Sequence, residues 1–436
     1  MTLSQNLQFA GSLVKPMGTA ARINAVAGIR ARWHRYGSPI GAEITAYDPL
    51  DPATAAQPHE AYRQLHGGAR VHYNPKRSLW ILTRLADVRA AARADAGLSS
   101  ADGVTRTKFS LPILITTDGE RHARMRRQIL PAFTKAAMDS WRPMVDNLAA
   151  ELVGDVLDNP GCDAVQRLAV PMPMRLIAHM LGIPDTDVDE FRRWSEAAVQ
   201  VTDLALTRRG VSKFAASVGG SRSIHRYFHR QFAAGGLKES DTILGRLLAK
   251  NEDGSITDDE LFYFAMLLLL AGNETTTNLL GGMFDTLARN PEQFKQIRDD
   301  PDLITMAIEE QLRFSSPVQN LYRTALTDYP VGDVVIPAGA RVLLSFGAAN
   351  RDPQVFDNPD VYRVDRNPTQ HIAFGFGAHL CLGAQLTRME AQAVLRELVT
   401  RVSRVELVGE TRWSTNSSLR GPAQMRVTLT PAVARR

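Results

Sequence analysis

The chain is poor in cysteine. Among 436 residues only Cys162 and Cys381 carry a thiol, too few for a disulfide framework or for a structural zinc site built on paired thiolates. A reducing cytoplasm is the compartment this implies. Long apolar runs are missing as well. The longest nearly unbroken one, Leu261 to Gly272, has the length of a buried helix and is too short to cross a bilayer, so no transmembrane helix is expected. No block of consecutive basic residues of the nucleic-acid-binding kind occurs. The excess of 51 Lys+Arg over 46 Asp+Glu gives a formal charge of +5, which fits an acidic partner surface better than DNA. Acids are absent before Glu43, whereas Lys15, Arg22, Arg30, Arg32 and Arg35 precede it. A basic, acid-poor start is compatible with an organelle transit peptide or a membrane-surface helix. With no apolar stretch or cleavage-like site beside the charges, the preferred expectation is an N-terminal extension over residues 1–45 lying on the domain surface. Neither an internal repeat nor a Pro/Gly/Ser linker divides the rest of the chain, so residues 46–436 form one large domain.

Most of that domain has helical periodicity. A helix near 58–65 leads into two short extended runs, 69–73 and 79–83, that pair as a hairpin. Helix-length segments come next near 84–94, 119–133, 137–157, 164–181, 187–205 and 213–233, and strand signals return only at 334–336, 341–344 and 425–429. The fold class is mainly α with a minor β-sheet. The best-marked helix starts at Thr257, which forms a capping box with Glu260 while Ile256 and Leu261 occupy the staple positions. Its apolar run has no polar face, as expected of a helix crossing the protein centre. Asn273, Glu274, Thr275, Thr276 and Thr277 then interrupt it. Gly272 and successive threonines are poor helix formers, and their hydroxyls compete for backbone carbonyls, which predicts a local distortion. Buried acid and hydroxyl groups there suit a proton-delivery or water-holding groove, with a locally solvated helix segment as the alternative. Asn290-Pro291 marks the start of the next helix. In the one after it, Glu310 and Arg313 stand at i and i+3 on one face, the spacing of a charge-assisted pair.

The other chemistry-bearing stretch is Phe374 to Gly383, one cysteine among three glycines, with a helix after it running to about Val402. Cys381 sits just before that helix N-terminus, where free N–H groups and the helix dipole favour a thiolate over a thiol. Gly375, Gly377 and Gly383 allow backbone conformations and close approaches that a Cβ forbids, as needed against a large planar ligand. An ordinary buried cysteine is the alternative on these residues alone.

Three segments in fixed order, Ala271-Gly-Asn-Glu-Thr-Thr276, Glu310-Gln-Leu-Arg313 and Phe374-Gly-Phe-Gly-Ala-His-Leu-Cys381-Leu-Gly383, make the chain resemble the cytochrome P450 family of haem-thiolate monooxygenases. The likeness spans roughly residues 46 to 430 and takes in His122-Ala-Arg-Met-Arg126-Arg127, Asn358-Pro359 and Asp365-Arg366. It implies the cytochrome P450 fold, one large helical domain around a buried haem b. Cys381 would be the axial ligand of the haem iron, whose thiolate character favours O–O cleavage. Phe374 would pack beside it, with Ala271, Gly375 and Gly383 also lining the haem. Glu274 and Thr275 match the family's acid and alcohol pair, which delivers protons to bound dioxygen. Glu310 and Arg313 match its buried structural ion pair. His122, Arg126, Arg323 and His379 match positions that contact the haem propionates, where cationic donors suit carboxylates.

The resemblance further implies a soluble, bacterial-type enzyme that inserts one oxygen atom of O2 into an apolar small molecule such as a lipid, terpenoid or steroid. No Arg-Pro pair replaces Glu274 and Thr275, as it would in the peroxide-using branch. Electrons would come from an external, acidic ferredoxin and its reductase, since no flavin or iron-sulfur domain appears before Arg436, and the cluster Arg121, Arg124, Arg126 and Arg127 offers a basic docking face. The alternatives are a peroxide-driven haem enzyme and a non-catalytic haem or ligand-binding protein. Candidate pocket walls are 99–115 with Phe109 and Leu111, 199–214, 268–276 and 318–321.

Overall fold

In the computed structural model of the chain the described residues are 41–432 without 94–96, 109, 185–186, 188–189, 195–218, 221, 229, 231–239 and 251–255. The N-terminal extension, Phe109 and the wall at 199–214 therefore lie outside the described residues. A long helix, Asp258–Arg289, runs through the middle, and its start is fixed as its sequence demands. Thr257 Oγ accepts from Glu260 N–H at 3.2 Å, and Glu260 Oε2 accepts from Thr257 N–H at 3.1 Å. The same carboxylate receives Arg124 at 2.5 Å and so ties this central helix to the arginine-rich helix Gly119–Ile129. Leu261, Phe264, Ala265, Met266 and Leu269 are buried in the largest apolar cluster, between the helices Pro171–Met180 and Ala384–Arg401. Among the described residues no helix is long and apolar enough to cross a membrane.

The hairpin forms as its alternation predicts, Val71–Asn74 antiparallel to Leu79–Leu82. It belongs to a six-stranded sheet in the order 43–44, 71–74, 79–82, 341–345, 320–325, 98–99. The strand Asn320–Ala325 had no legible signal. Five of its six residues are buried, so polar Asn320, Arg323 and Thr324 stand where a half-exposed strand would show alternation. A second sheet pairs Val402–Leu407, Arg426–Pro431 and Cys162–Asp163. The expected helix at 164–181 divides into a π-helical turn, Val165–Ala169, and the helix Pro171–Met180, because Pro171 and Pro173 cannot donate to a continuous ladder. Asn290 stands at the N-cap of the next helix with Pro291 after it, as expected, but its side chain makes no bond to that helix and instead donates back to Thr286 O at 2.8 Å, closing the central helix.

Candidate active site

Local backbone requirements build the cysteine loop. Ile372 N–H donates to Asn350 Oδ1 at 2.8 Å, Gly375 N–H to Ile372 O at 2.8 Å, and Cys381 N–H to Phe374 O at 2.9 Å, which closes the loop on itself. Gly375 and Gly377 sit at φ +75° and +74°, and a Cβ on Gly377 would stand 3.1 Å from Ala92 O. Gly383 is different: it caps the helix Ala384–Arg401 at φ −85°, with nothing within 4 Å of the place a Cβ would take. Its use is its N–H, which bonds to the Cys381 thiol. Cys381 presents open surface, yet the protein packed around it strips solvent from the sulfur. Burial therefore pushes the thiol up, against the Gly383 N–H, Arg126 and Arg388, which all draw it down.

The central helix also departs from expectation. It stays α-helical through Asn273–Thr277, because Thr275 Oγ donates to Ala271 O at 2.7 Å one turn back without interrupting the helix. Gly272 serves close packing instead of a bend, since a Cβ there would meet Ile177 Cδ1 at 2.8 Å. Leu269, Asn273 and Thr276 are buried, whereas Ala271 is exposed and Glu274 and Thr275 are half-buried. One turn of a core helix is thus left open. Beside it Thr276 Oγ lies 3.4 Å from Thr387 Oγ on the helix after the cysteine.

Basic side chains gather on one flank. Arg126 Nη2 donates to Leu380 O at 2.8 Å, next to the cysteine. The His122 and His379 rings are 4.4 Å apart, and His379 Nε2 lies 3.2 Å from Ser100 Oγ and 3.4 Å from Asp118 Oδ1. Burial would raise Asp118, but hydrogen bonds from His379, Ser100 and Ser99 hold it well below the usual carboxylate range. His122 is buried, its Nε2 has no partner among the described residues, and burial with the nearby His379 and Arg126 pushes its pKa down to about 4. Arg323 is set in the sheet, buried, with Nη1 donating to Tyr322 O at 3.0 Å.

Behind the loop, Glu310 and Arg313 are fully buried and pair through two bonds, Nε to Oε2 at 2.7 Å and Nη2 to Oε1 at 2.8 Å. Arg366 Nε joins at 3.1 Å, and Arg313 Nη1 holds Asn350 O and Pro359 O, both at 2.9 Å. Asn350 is the residue that fixes Ile372, so the pair braces the cysteine loop. Sequence reasoning missed a neighbouring cluster. Glu309 receives Arg388 at 2.6 and 2.8 Å and lies 2.9 Å from His371 Nε2, and Arg388 lies over the Phe374 ring at 4.6 Å. Its only signals in sequence were Glu309 next to Glu310 and Arg388 two turns past the cysteine.

The haem implied by sequence fits this donor set. The buried His122 nitrogen, without a partner among the described residues, and the Arg126 guanidinium suit its carboxylates, the exposed Ala271 leaves room for a flat ring, and Cys381 is a free thiol able to bond a metal.

Comparison with known proteins agrees. The family model for Cytochrome P450 matches residues 226–418. The beta-dihydromenaquinone-9 omega-hydroxylase of Mycobacterium tuberculosis is 50% identical over 392 residues, covering 90% of this chain and 80% of the relative. Cytochrome P450 107B1 of Saccharopolyspora erythraea is 32% identical over 394 residues, 85% of this chain and 95% of that one. Among solved structures, a cytochrome P450 from Chondromyces apiculatus superposes with a TM-score of 0.80 at 30% identity, over 89% of this chain and 99% of that one. One from Bacillus megaterium in complex with testosterone gives 0.77 at 30% identity, over 85% and 99%. With half of the 392 aligned residues identical across four-fifths of one such relative, and the fold and cysteine loop in place, the chain belongs to the cytochrome P450 family, haem b-dependent monooxygenases.

Proposed function

We propose that this monooxygenase hydroxylates a lipid-type substrate of the isoprenoid quinone class, R–H + O2 + 2 e⁻ + 2 H⁺ giving R–OH + H2O. An acidic ferredoxin and its reductase would supply the electrons. The observation that carries the reaction is the break in burial of the central helix, with Ala271 exposed and Glu274 and Thr275 half-buried, in a chain whose Cys381 is an exposed free thiol. Support for the substrate class is the 50% identity to a protein named for omega-hydroxylation of a menaquinone. The testosterone complex of the Bacillus megaterium neighbour favours an apolar, polycyclic-sized pocket.

Bound haem supplies the iron at which dioxygen is reduced and from which one oxygen atom is transferred. Cys381 would hold that iron, its proton displaced by the metal despite the raised thiol pKa. Arg126, Arg388 and the Gly383 N–H steady the negative sulfur that remains. His122, Arg126, Arg323 and His379 would hold the propionates, and a carboxylate beside His122 would offset the burial and the repulsion from His379 and Arg126 that lower its pKa. Thr275 Oγ, whose hydrogen now goes to Ala271 O, would accept a proton from Glu274 as it releases its own hydrogen from that bond to the reacting oxygen.

For the electron donor, a depression of ≈ 550 Å³ is lined by Arg89, Arg126 and Arg388, with Leu130 and Leu380 exposed at 47% and 46%. A basic rim around apolar contacts suits an acidic protein. Of the arginines around it, Arg124 is bound to Glu260, Arg127 to Glu120 and Arg388 to Glu309, so the docking charge shifts toward Arg89 and Arg126. The test is turnover of a short-tailed menaquinone with ferredoxin, reductase, NADPH and isotopically labelled dioxygen. A hydroxylated product carrying one labelled oxygen is expected. Product formed from peroxide alone, or no label in it, refutes the proposal.

A further inference from the structure

The loop after the edge strand Leu98–Ser99 returns to the main sheet at three consecutive carbonyls. Tyr322 N–H donates to Val104 O at 3.1 Å, and Nη2 of Arg341 donates to the carbonyls on either side, Gly103 O at 2.6 Å and Thr105 O. Nη1 of the same guanidinium donates to Thr324 Oγ at 3.0 Å, and the group lies 5.6 Å from the Tyr322 ring centre. Thr324 pairs directly with Arg341 across the antiparallel strands, and Tyr322 is two residues from Thr324, so all three side chains share one face. One arginine thus fastens the loop to two strands.

This is an expensive way to fill space. Arg341 is 7% exposed, its hydrogen bonds go to neutral oxygens, and the nearby Asp102 carboxylate is engaged by Lys108 at 3.0 Å. Burial brings its pKa down to about 9; Asp102 and Tyr322 favour the charge, and Arg323 and Arg106 oppose it. An apolar residue of similar size would cost less if packing were all that was needed. What a guanidinium adds is a rigid fork with one nitrogen on two loop carbonyls and the other on Thr324. The loop it holds borders the site, since Ser100 Oγ lies 3.2 Å from His379 Nε2 and Asp118 gathers Ser99, Ser100 and the Ala101 N–H.

We propose that Arg341 is a positioning residue for the substrate: it holds the segment Gly103–Thr105 against the sheet, and this fixes one wall of the space over the cysteine loop. The inference rests on the monooxygenase reading of that site. Without the fork, the loop lifts and bulky ligands lose a wall, while the iron site is untouched.

The test compares haem-loaded wild type with Arg341→Gln and Arg341→Lys, each checked for folding by its melting curve and its reduced carbonyl spectrum. Lysine keeps the charge and most of the buried stem but not the fork, so it folds even where glutamine fails. Amide hydrogen exchange at Tyr322, whose N–H is bonded to the loop, is expected to speed up about tenfold in both variants, with the central helix unchanged. Clotrimazole, a bulky apolar azole that reaches the walls, is expected to bind about tenfold more weakly, whereas imidazole, which touches little beyond the iron, stays within about twofold. Wild-type exchange at Tyr322 in both variants overturns the clamp. Faster exchange with unchanged clotrimazole affinity overturns its link to the substrate space. Both azoles bind through iron, so neither result depends on the quinone assignment, and imidazole failing to bind the wild type would count against the haem site itself.

Discussion

Glu310→Gln is the perturbation whose outcome derives most directly from the packing. Glu310 is fully buried and accepts four bonds: two from Arg313 at 2.7 and 2.8 Å, one from Arg366 Nε at 3.1 Å and one from Arg363 N–H at 3.2 Å. Glutamine keeps the shape but replaces one acceptor oxygen by a donor, so a guanidinium N–H faces an N–H. It also leaves the Arg313 charge buried without its counter-ion. Breaking a buried pair in this way costs about 3–5 kcal/mol. Unfolding entropy of ~2.1 cal/mol/K per residue, over 436 residues, gives ~0.9 kcal/mol/K, so the melting temperature should fall about 3–6 °C. Calorimetry of the haem-loaded protein reads this. The exposed pair Arg63–Glu60, with side chains 56% and 64% accessible, supplies the control, and Glu60→Gln should leave the melting temperature where it was. Because Arg313 also holds Asn350, which fixes Ile372 in the cysteine loop, the Glu310 variant should release haem faster as well. If Glu310→Gln melts within about 1 °C of wild type, the pair does not brace the core and the reasoning fails.

Three further outcomes are expected. Burial would raise Glu309, but hydrogen bonds from Arg388 and His371 bring it down to about 2 from 4.5; its contribution is therefore present above pH 4.5 and lost as pH falls toward 2. Melting curves of wild type and Arg388→Gln should differ most above that window and converge at its acid end; curves separated equally at all pH values contradict this. Glu390 is buried, Oε2 lacks a partner among the described residues, and burial alone raises its pKa well above 4.5. The native state keeps a proton that the unfolded chain gives up, so stability falls as pH rises above 4.5. Glu390→Gln should gain on wild type from that pH upward, and parallel pH profiles would refute it. Thr275→Ala should lower product formed per oxygen consumed about tenfold or more with clotrimazole affinity unchanged, checked by an oxygen electrode and product assay. Unaltered coupling removes Thr275 from the proton path.

Local chemistry made part of this architecture readable. The capping box at Thr257, the hairpin at Val71–Leu82 and the helix after Cys381 each depend on residues a few positions apart. The strand Asn320–Ala325 was illegible because its polar side chains are satisfied from far away, as Asn320 is by Ser417 O across 97 residues. The same distance hid the Glu309–Arg388–His371 cluster, whose members are 62 and 79 residues apart. Composition misled at Gly272 and Gly383, where a glycine looked like a bend or a close approach. At Gly272 the constraint is Ile177 on another helix, and at Gly383 it is the direction of one N–H. Cys381, Glu274 and Thr275 were singled out from sequence and stand as proposed site residues, while the network around them came from the fold.

The most direct measurement is the absorption spectrum of the reduced, carbon monoxide-bound protein in wild type, Cys381→His and Cys162→Ala. Wild type and Cys162→Ala should show the red-shifted Soret band of thiolate ligation, and Cys381→His should show an imidazole-type band in its place. A thiolate-type band surviving in Cys381→His would contradict the account.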